Sequence, residues 1–201
     1  MNAPHIPLLP GFADPVDDAQ RIFRAVLAAL SRPGMLQAIS GLPPAPAPLC
    51  AASGAVLLAL ADYETPVWLQ SPSPEACAWL RFHCGAPLVD APAEAVFAVI
   101  SQPLALPPLA AFAQGLPEYP DRSATLIVHS AGFGDQGLRL TGPGIQDECR
   151  LGIDGLAPDF WRSWQSQQGH APLGVDLLFV NGDSLLGLPR STRVDVEGKG
   201  E

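Results

Sequence analysis

The residues best suited to hold an oxyanion lie together in Leu138-Arg139-Leu140-Thr141-Gly142-Pro143-Gly144-Ile145. Apolar and polar positions alternate over the first four, which predicts a half-buried strand with Arg139 and Thr141 on one face. The Gly-Pro-Gly that follows predicts a turn whose glycines reach positive φ and let a ligand approach the backbone. A guanidinium fork, a hydroxyl and the N–H groups of Gly142 and Gly144 make a donor set that suits phosphate-like groups. An ordinary strand-ending turn fits the same residues. The third glycine of a dinucleotide fingerprint is absent, and no lysine follows as in a Walker loop. A second arginine–hydroxyl segment, Leu188-Pro189-Arg190-Ser191-Thr192-Arg193, puts Arg190 and Thr192 on one face if extended. Two such segments in one sheet can meet a polyanion, provided they are neighbours.

Other candidates are sparser. In Leu80-Arg81-Phe82-His83, Arg81 and His83 are two apart near a predicted helix end, so they converge only if the helix unwinds. Either cation also gains from the helix dipole there, and histidine can donate protons or bind metal. Asp17, Arg21 and Arg24 share a polar sector that is either a solvated ion-pair face or a docking surface with Gln20 and Arg24 at the edge of the buried stripe. Cys50, Cys77, Cys84 and Cys149 show no CxxC spacing. Cys77 and Cys84, seven apart, read as small core residues, with a thiolate site of Cys77, His83 and Cys84 as the sharper alternative. No G-x-S-x-G elbow is present, Ser53-Gly54 falls in an apolar helix, and no pair of histidines has metal-ligand spacing, so no metal is expected.

The elements that must position these groups alternate between helix and strand. Asp14 caps a first helix in which Val16, Ala19, Phe23, Val26, Leu27 and Leu30 are expected to form the buried stripe, ended by Arg32-Pro33-Gly34. Small residues over 51–61 predict a closely packed helix, and Ser73-Pro74-Glu75 opens another that runs to about Cys84. Helices are also expected around 109–114 and over 158–167. Strands are expected over 35–39, 65–69, 96–100, 125–129, 145–153, 175–180 and 185–188, with Gly134-Asp135-Gln136-Gly137 turning the chain into the Arg139 strand. Asn181-Gly182 between the last two predicts a hairpin. The sum is one α/β domain with a mixed, mostly central sheet flanked by helices.

With 201 residues the chain can bury one substantial core, and 48% hydrophobic against 15% charged residues suggests that a partner covers part of its surface. A net charge of −9 argues against a nucleic-acid-binding face. The first nine residues lack a cationic region and a long apolar run, and no apolar stretch reaches the roughly 20 residues of a membrane span. A cytoplasmic protein without membrane contact is the expectation.

Five segments taken together resemble one family. They are the 12–34 segment from Phe12-x-Asp14-Pro15 through Ser31-x-Pro33-Gly34, then Leu80-Arg81-Phe82-His83-x-x-Ala86-Pro87 and the 138–145 run already described. Pro172-Leu173-Gly174-Val175-Asp176-Leu177 and Leu188-Pro189-Arg190-Ser191-Thr192-x-Val194 complete the set. In this order they resemble the PhnH family of carbon–phosphorus lyase subunits, over about residues 12–196, with residues 1–11 and 197–201 as flexible tails. Cys84 and Ser191 stand where the family usually has threonine.

The resemblance implies a homodimer with a backbone like that of pyridoxal-phosphate-dependent transferases. It also implies assembly with the other lyase core subunits, and support for coupling a phosphonate to the ribose of a nucleoside triphosphate. Schiff-base chemistry needs a buried lysine amine, and the chain's one lysine is Lys199, so no pyridoxal phosphate is expected. On this reading the chain is an accessory subunit without activity alone, in which Asp17, Gln20 and Arg24 are interaction-surface candidates and phosphonate or nucleotide a possible ligand. The alternatives are a stand-alone transferase with Arg81 and Arg139 as clamps and His83 as acid–base, and a plain dimeric scaffold.

Overall fold

A computed structural model describes residues 8–196. The elements in chain order are α1 (Pro15–Ser31), β1 (Gln37–Ala38), α2 (Ala51–Leu60), β2 (Val67–Leu69), α3 (Pro74–His83), β3 (Phe97–Ile100), β4 (Gln114–Leu116), β5 (Tyr119–Ser123), β6 (Thr125–His129), β7 (Gly132–Thr141), β8 (Cys149–Asp154), α4 (Phe160–Gln168), β9 (Asp176–Asn181), β10 (Ser184–Leu188) and β11 (Arg193–Val196). A six-stranded sheet in the order β1-β10-β9-β6-β3-β2 forms the centre. Its strands β2, β3, β6 and β9 are parallel, β10 runs against them, and β1, antiparallel to β10, returns to their direction. The expected mixed α/β architecture is therefore present. A second sheet, β11-β7-β8, and the hairpin of β4 and β5 complete the strands.

Strict alternation along the central strands divides the core in two. Phe97 and Val99, Ile127, and Leu178 and Val180 point to the face covered by α1, α2 and α3. Ala98 and Ile100, Leu126 and Val128, and Leu177 and Phe179 point to the other face, covered by α4 and the three-stranded sheet. Both faces being buried explains why these strands read as continuous apolar runs in the sequence.

Two close approaches fix the helices. A Cβ on Gly54 of α2 would lie 2.8 Å from the Ala45 Cβ. A Cβ on Gly187 of β10 would lie 2.5 Å from the backbone carbon of Ala29 in α1, so helix and strand meet backbone to backbone. Asp14 caps α1 by accepting from the N–H groups of Val16 and Asp17 at 3.1 Å. Its own N–H donates to the Asp18 carboxylate at 3.0 Å.

Several expectations change here. In α1 the residues turned inward are Asp18, Ile22, Val26 and Ala29, while Val16, Phe23 and Leu27 are exposed. Apolar residues occupy two sectors of this helix, and periodicity alone does not say which sector meets the sheet. Residues 109–114 form a short 3-10 turn (Leu109–Ala111) leading into β4 instead of a helix. Residues 134–137 lie within one continuous strand, β7, whose pairing with β8 is irregular between Gly134 and Leu138. Residues 8–11 are tied down instead of trailing: the Leu9 carbonyl accepts from Trp79 Nε1 at 3.0 Å, and Gly11 lies against His83. The remaining tail positions, 1–7 and 197–201, lie outside the described residues.

Candidate functional site

Three places carry the residues singled out by the sequence. The first is the outer face of α1. Val16, Phe23 and Leu27, exposed by 76%, 49% and 56%, line up at helical spacing, and exposed Met35 and Leu36 follow the helix end. Asp17, Gln20 and Arg24 are exposed beside this stripe. Arg21 pairs with Asp18 and not with Asp17, which leaves the Asp17 side free of that contact. An apolar stripe edged by polar residues is the pattern of a surface that another chain covers.

The second place is the pairing of β7 with β11. The two arginine–hydroxyl segments are indeed neighbours: Thr141 stands opposite Arg193, and Arg139 opposite Asp195. Their arginines serve different partners. Arg139 donates to the Asp195 carboxylate at 2.7 Å and lies 3.7 Å from Glu148. Arg190 reaches away from the turn. Its Nε donates to Asp176 at 3.1 Å and its Nη1 to the Pro120 carbonyl at 2.7 Å, and its remaining nitrogen meets Asp176 and Ser123.

Thr192 is fully buried, its carbonyl accepting from Trp164 Nε1 at 3.1 Å and its hydroxyl oxygen having no partner among the described residues. The Gly-Pro-Gly turn does have glycines at positive φ, +132° at Gly142 and +83° at Gly144. What approaches them is protein. A Cβ on Gly144 would sit 2.3 Å from the Ser31 carbonyl oxygen at the end of α1, and one on Gly142 would sit 3.0 Å from that of Ser191.

The third place is the end of α3. Ser73 caps this helix at its start, and Arg81 and His83 lie in its last turn. Their surroundings differ, as two-residue spacing on a helix requires. His83 Nε2 lies 3.0 Å from the Leu9 carbonyl and its ring packs on Trp79 at 5.0 Å between centroids. Arg81 instead lines a cavity of about 570 Å³ beside edge strand β2, with Cys77, Gln70 and Asp90. Cys77 and Cys84 pack against the core as expected. Burial pushes the Cys84 thiol up to about 11, the opposite of what a thiolate site needs.

One cluster escaped the sequence reading. Cys50 is the N-cap of α2 and Ser53 is in that helix's first turn, with each side chain bonded to the other's backbone N–H. His129, at the end of β6, brings its Nε2 to 3.0 Å from the Ser53 hydroxyl across 76 positions of sequence. Burial raises the Cys50 thiol, but hydrogen bonding and coulombic attraction from His129, with help from Ser53, outweigh it and lower the thiol to about 7. Cysteine is a rare cap, and no local spacing linked residues 50 and 129.

The described residues contain no lysine, so an internal Schiff base with pyridoxal phosphate has no amine among them. They hold no group of three or more His, Cys, Asp or Glu fit for a metal, and no helix long and apolar enough to cross a membrane.

Comparison with known proteins supplies the context for these places. A relative from Rhizobium meliloti (strain 1021), named alpha-D-ribose 1-methylphosphonate 5-triphosphate synthase subunit PhnH, is 40% identical over 189 residues, covering 92% of this chain and 94% of its own. A protein of Stutzerimonas stutzeri with the provisional name C-P lyase subunit protein HtxG is 42% identical over 82 residues, covering 40% of this chain and 42% of its own. The model of the bacterial phosphonate metabolism protein family, PhnH, matches residues 10–195. The chain belongs to the PhnH family.

Proposed function

We propose that this chain is a subunit of a carbon–phosphorus lyase assembly that consumes organophosphonates in the cytoplasm. In that assembly it supports the coupling of a phosphonate to the ribose of a nucleoside triphosphate. The observation that carries the reading is the 40% identity over 92% of the chain to a relative named as a synthase subunit. The geometry favours assembly over solitary catalysis. Arg190 is committed to Asp176, Arg139 faces two carboxylates, and Arg81 and His83 have separate surroundings. By contrast, the outer stripe of α1 offers apolar area that water leaves unsatisfied. On this reading the stripe is covered in the homodimer or by another lyase subunit, with Asp17, Gln20 and Arg24 at its rim.

The test is purification of a tagged chain from cells growing on methylphosphonate as phosphorus source. Other lyase subunits are expected to come with it in fixed ratio. A monomer that brings none of them overturns the reading, as does turnover of ATP and methylphosphonate by the isolated protein.

A further inference from the structure

The Cys50–Ser53–His129 cluster has no part in the function proposed above. Its thiol sits at the start of a ten-residue helix, where the Ser53 N–H points at the sulfur from 3.4 Å. The Ser53 hydroxyl, 3.4 Å from the same sulfur, is 3.0 Å from His129 Nε2. A helix start and an adjacent imidazole both favour a thiolate. His129 is the one titratable group among the described residues that acts on this thiol.

The ring also has a second side. Together with Ser101, Leu104, Ser130 and Gly155 it lines a cavity of about 550 Å³ where the parallel strands β3 and β6 end. Ligands of open parallel sheets enter at that edge of the strands. The Ser101 hydroxyl in this lining is buried and has no hydrogen-bond partner among the described residues.

We propose that Cys50 is a modification site that exchanges with low-molecular-weight disulfides, with the His129 imidazole beside it as proton acceptor. The Cys50 sulfur, having passed its proton toward His129, attacks one sulfur of the incoming disulfide. The old S–S bond breaks as the new one to Cys50 forms, and the departing thiolate takes up the proton. Cys50 is oxidised and the departing half is reduced, so no further oxidant is needed.

A thiol at about 7 is about half ionised near neutral pH. Its lower basicity weakens attack, which leaves a net gain of about fivefold over an ordinary thiol. The same chain carries its own controls. The Cys84 thiol faces the Leu57 carbonyl at 3.8 Å and is pushed up to about 11, and burial also raises that of Cys149.

The experiment treats the full chain with oxidised glutathione between about pH 5.5 and pH 9 and maps the adducts by mass spectrometry. Cys50 is expected to form the first adduct, with a rate that rises through pH about 7. Cys84 and Cys149 are expected to lag about tenfold or more near pH 7. His129→Gln is expected to slow Cys50 about fivefold near pH 7 and to move its midpoint upward. A first adduct on another cysteine, no adduct on Cys50 in the folded protein, or an unchanged profile in His129→Gln overturns the proposal. If that variant does not fold, the unsubstituted chain decides: a Cys50 midpoint at about 8.5 or above, the range of an unperturbed thiol, overturns it equally.

Discussion

One oxygen of the Asp176 carboxylate accepts twice from Arg190, from its backbone N–H at 2.7 Å and from its Nε at 3.1 Å. The guanidinium then reaches the Pro120 carbonyl and the Ser123 hydroxyl, so one side chain holds the start of β9, the β5 strand and the turn before β11 together. Removing one partner strands the other in a largely buried place. Arg190→Ala is expected to cost about 3 kcal/mol. A urea unfolding midpoint measures it, and a loss below about 1 kcal/mol would contradict the clasp.

The outer stripe of α1 makes the opposite forecast. Phe23→Glu and Leu27→Glu remove exposed apolar area, so each is expected to change stability of the free chain by no more than about 0.5 kcal/mol. Both are expected to abolish co-purification of partners. Thermal unfolding and pull-down on the same preparations separate the two effects.

Gly144 and Gly182 both have positive φ, +83° and +56°, but unequal room. Gly182→Ala meets nothing within 4 Å, so it is expected to cost only backbone strain, about 1 kcal/mol. Gly144→Ala adds a collision with the Ser31 carbonyl and is expected to cost at least about twice as much. Equal losses in paired denaturation curves would show that the turn does not press on α1.

Arg139 is 43% exposed and its partner Asp195 58%, so Arg139→Ala is expected to cost less than about 1 kcal/mol. Growth on methylphosphonate is expected to continue. Lost growth with normal assembly would restore the anion-site reading of the Arg139–Thr141 face.

The thiols divide by sign in their effect on stability. Cys50 is lowered from 9.0 to about 7, so its contribution is fully present above pH about 9 and is lost as pH falls through about 7. Cys84 is raised from 9.0 to about 11, so its contribution holds below pH about 9 and is lost as pH rises toward 11. Cys50→Ser is therefore expected to cost more at pH 9.5 than at pH 6, by thermal melting at each pH. A difference of the reverse sign rejects the lowered thiol.

Strand and helix positions in the centre of the fold were legible because burial on both faces writes itself as apolar runs such as Phe97-Ala98-Val99-Ile100. The Asn181-Gly182 hairpin was equally plain, because few residues tolerate that turn. The β4–β5 hairpin was missed: Gln114-Gly115-Leu116 and Tyr119-Pro120-Asp121-Arg122-Ser123 are polar, glycine-bearing and partly exposed. The sequence made an anion site of the two arginine–hydroxyl segments conditional on their being neighbours and could not show that they are. The β7–β11 pairing makes them so, but Asp176 lies 14 positions from Arg190 and nothing local announced that it would capture the guanidinium. Cys50 is linked to His129 through Ser53, whose hydroxyl in the first turn of α2 lies 3.0 Å from the imidazole at the end of β6, a long-range contact that no sequence window contains.

Gly187 has a last consequence. With no side chain between β10 and Ala29, a chain that grips the far side of α1 pulls directly on the sheet's skeleton, and no rotamer lies in between to absorb the motion. Whatever docks there holds the hairpin of β9 and β10 as rigidly as it holds the helix.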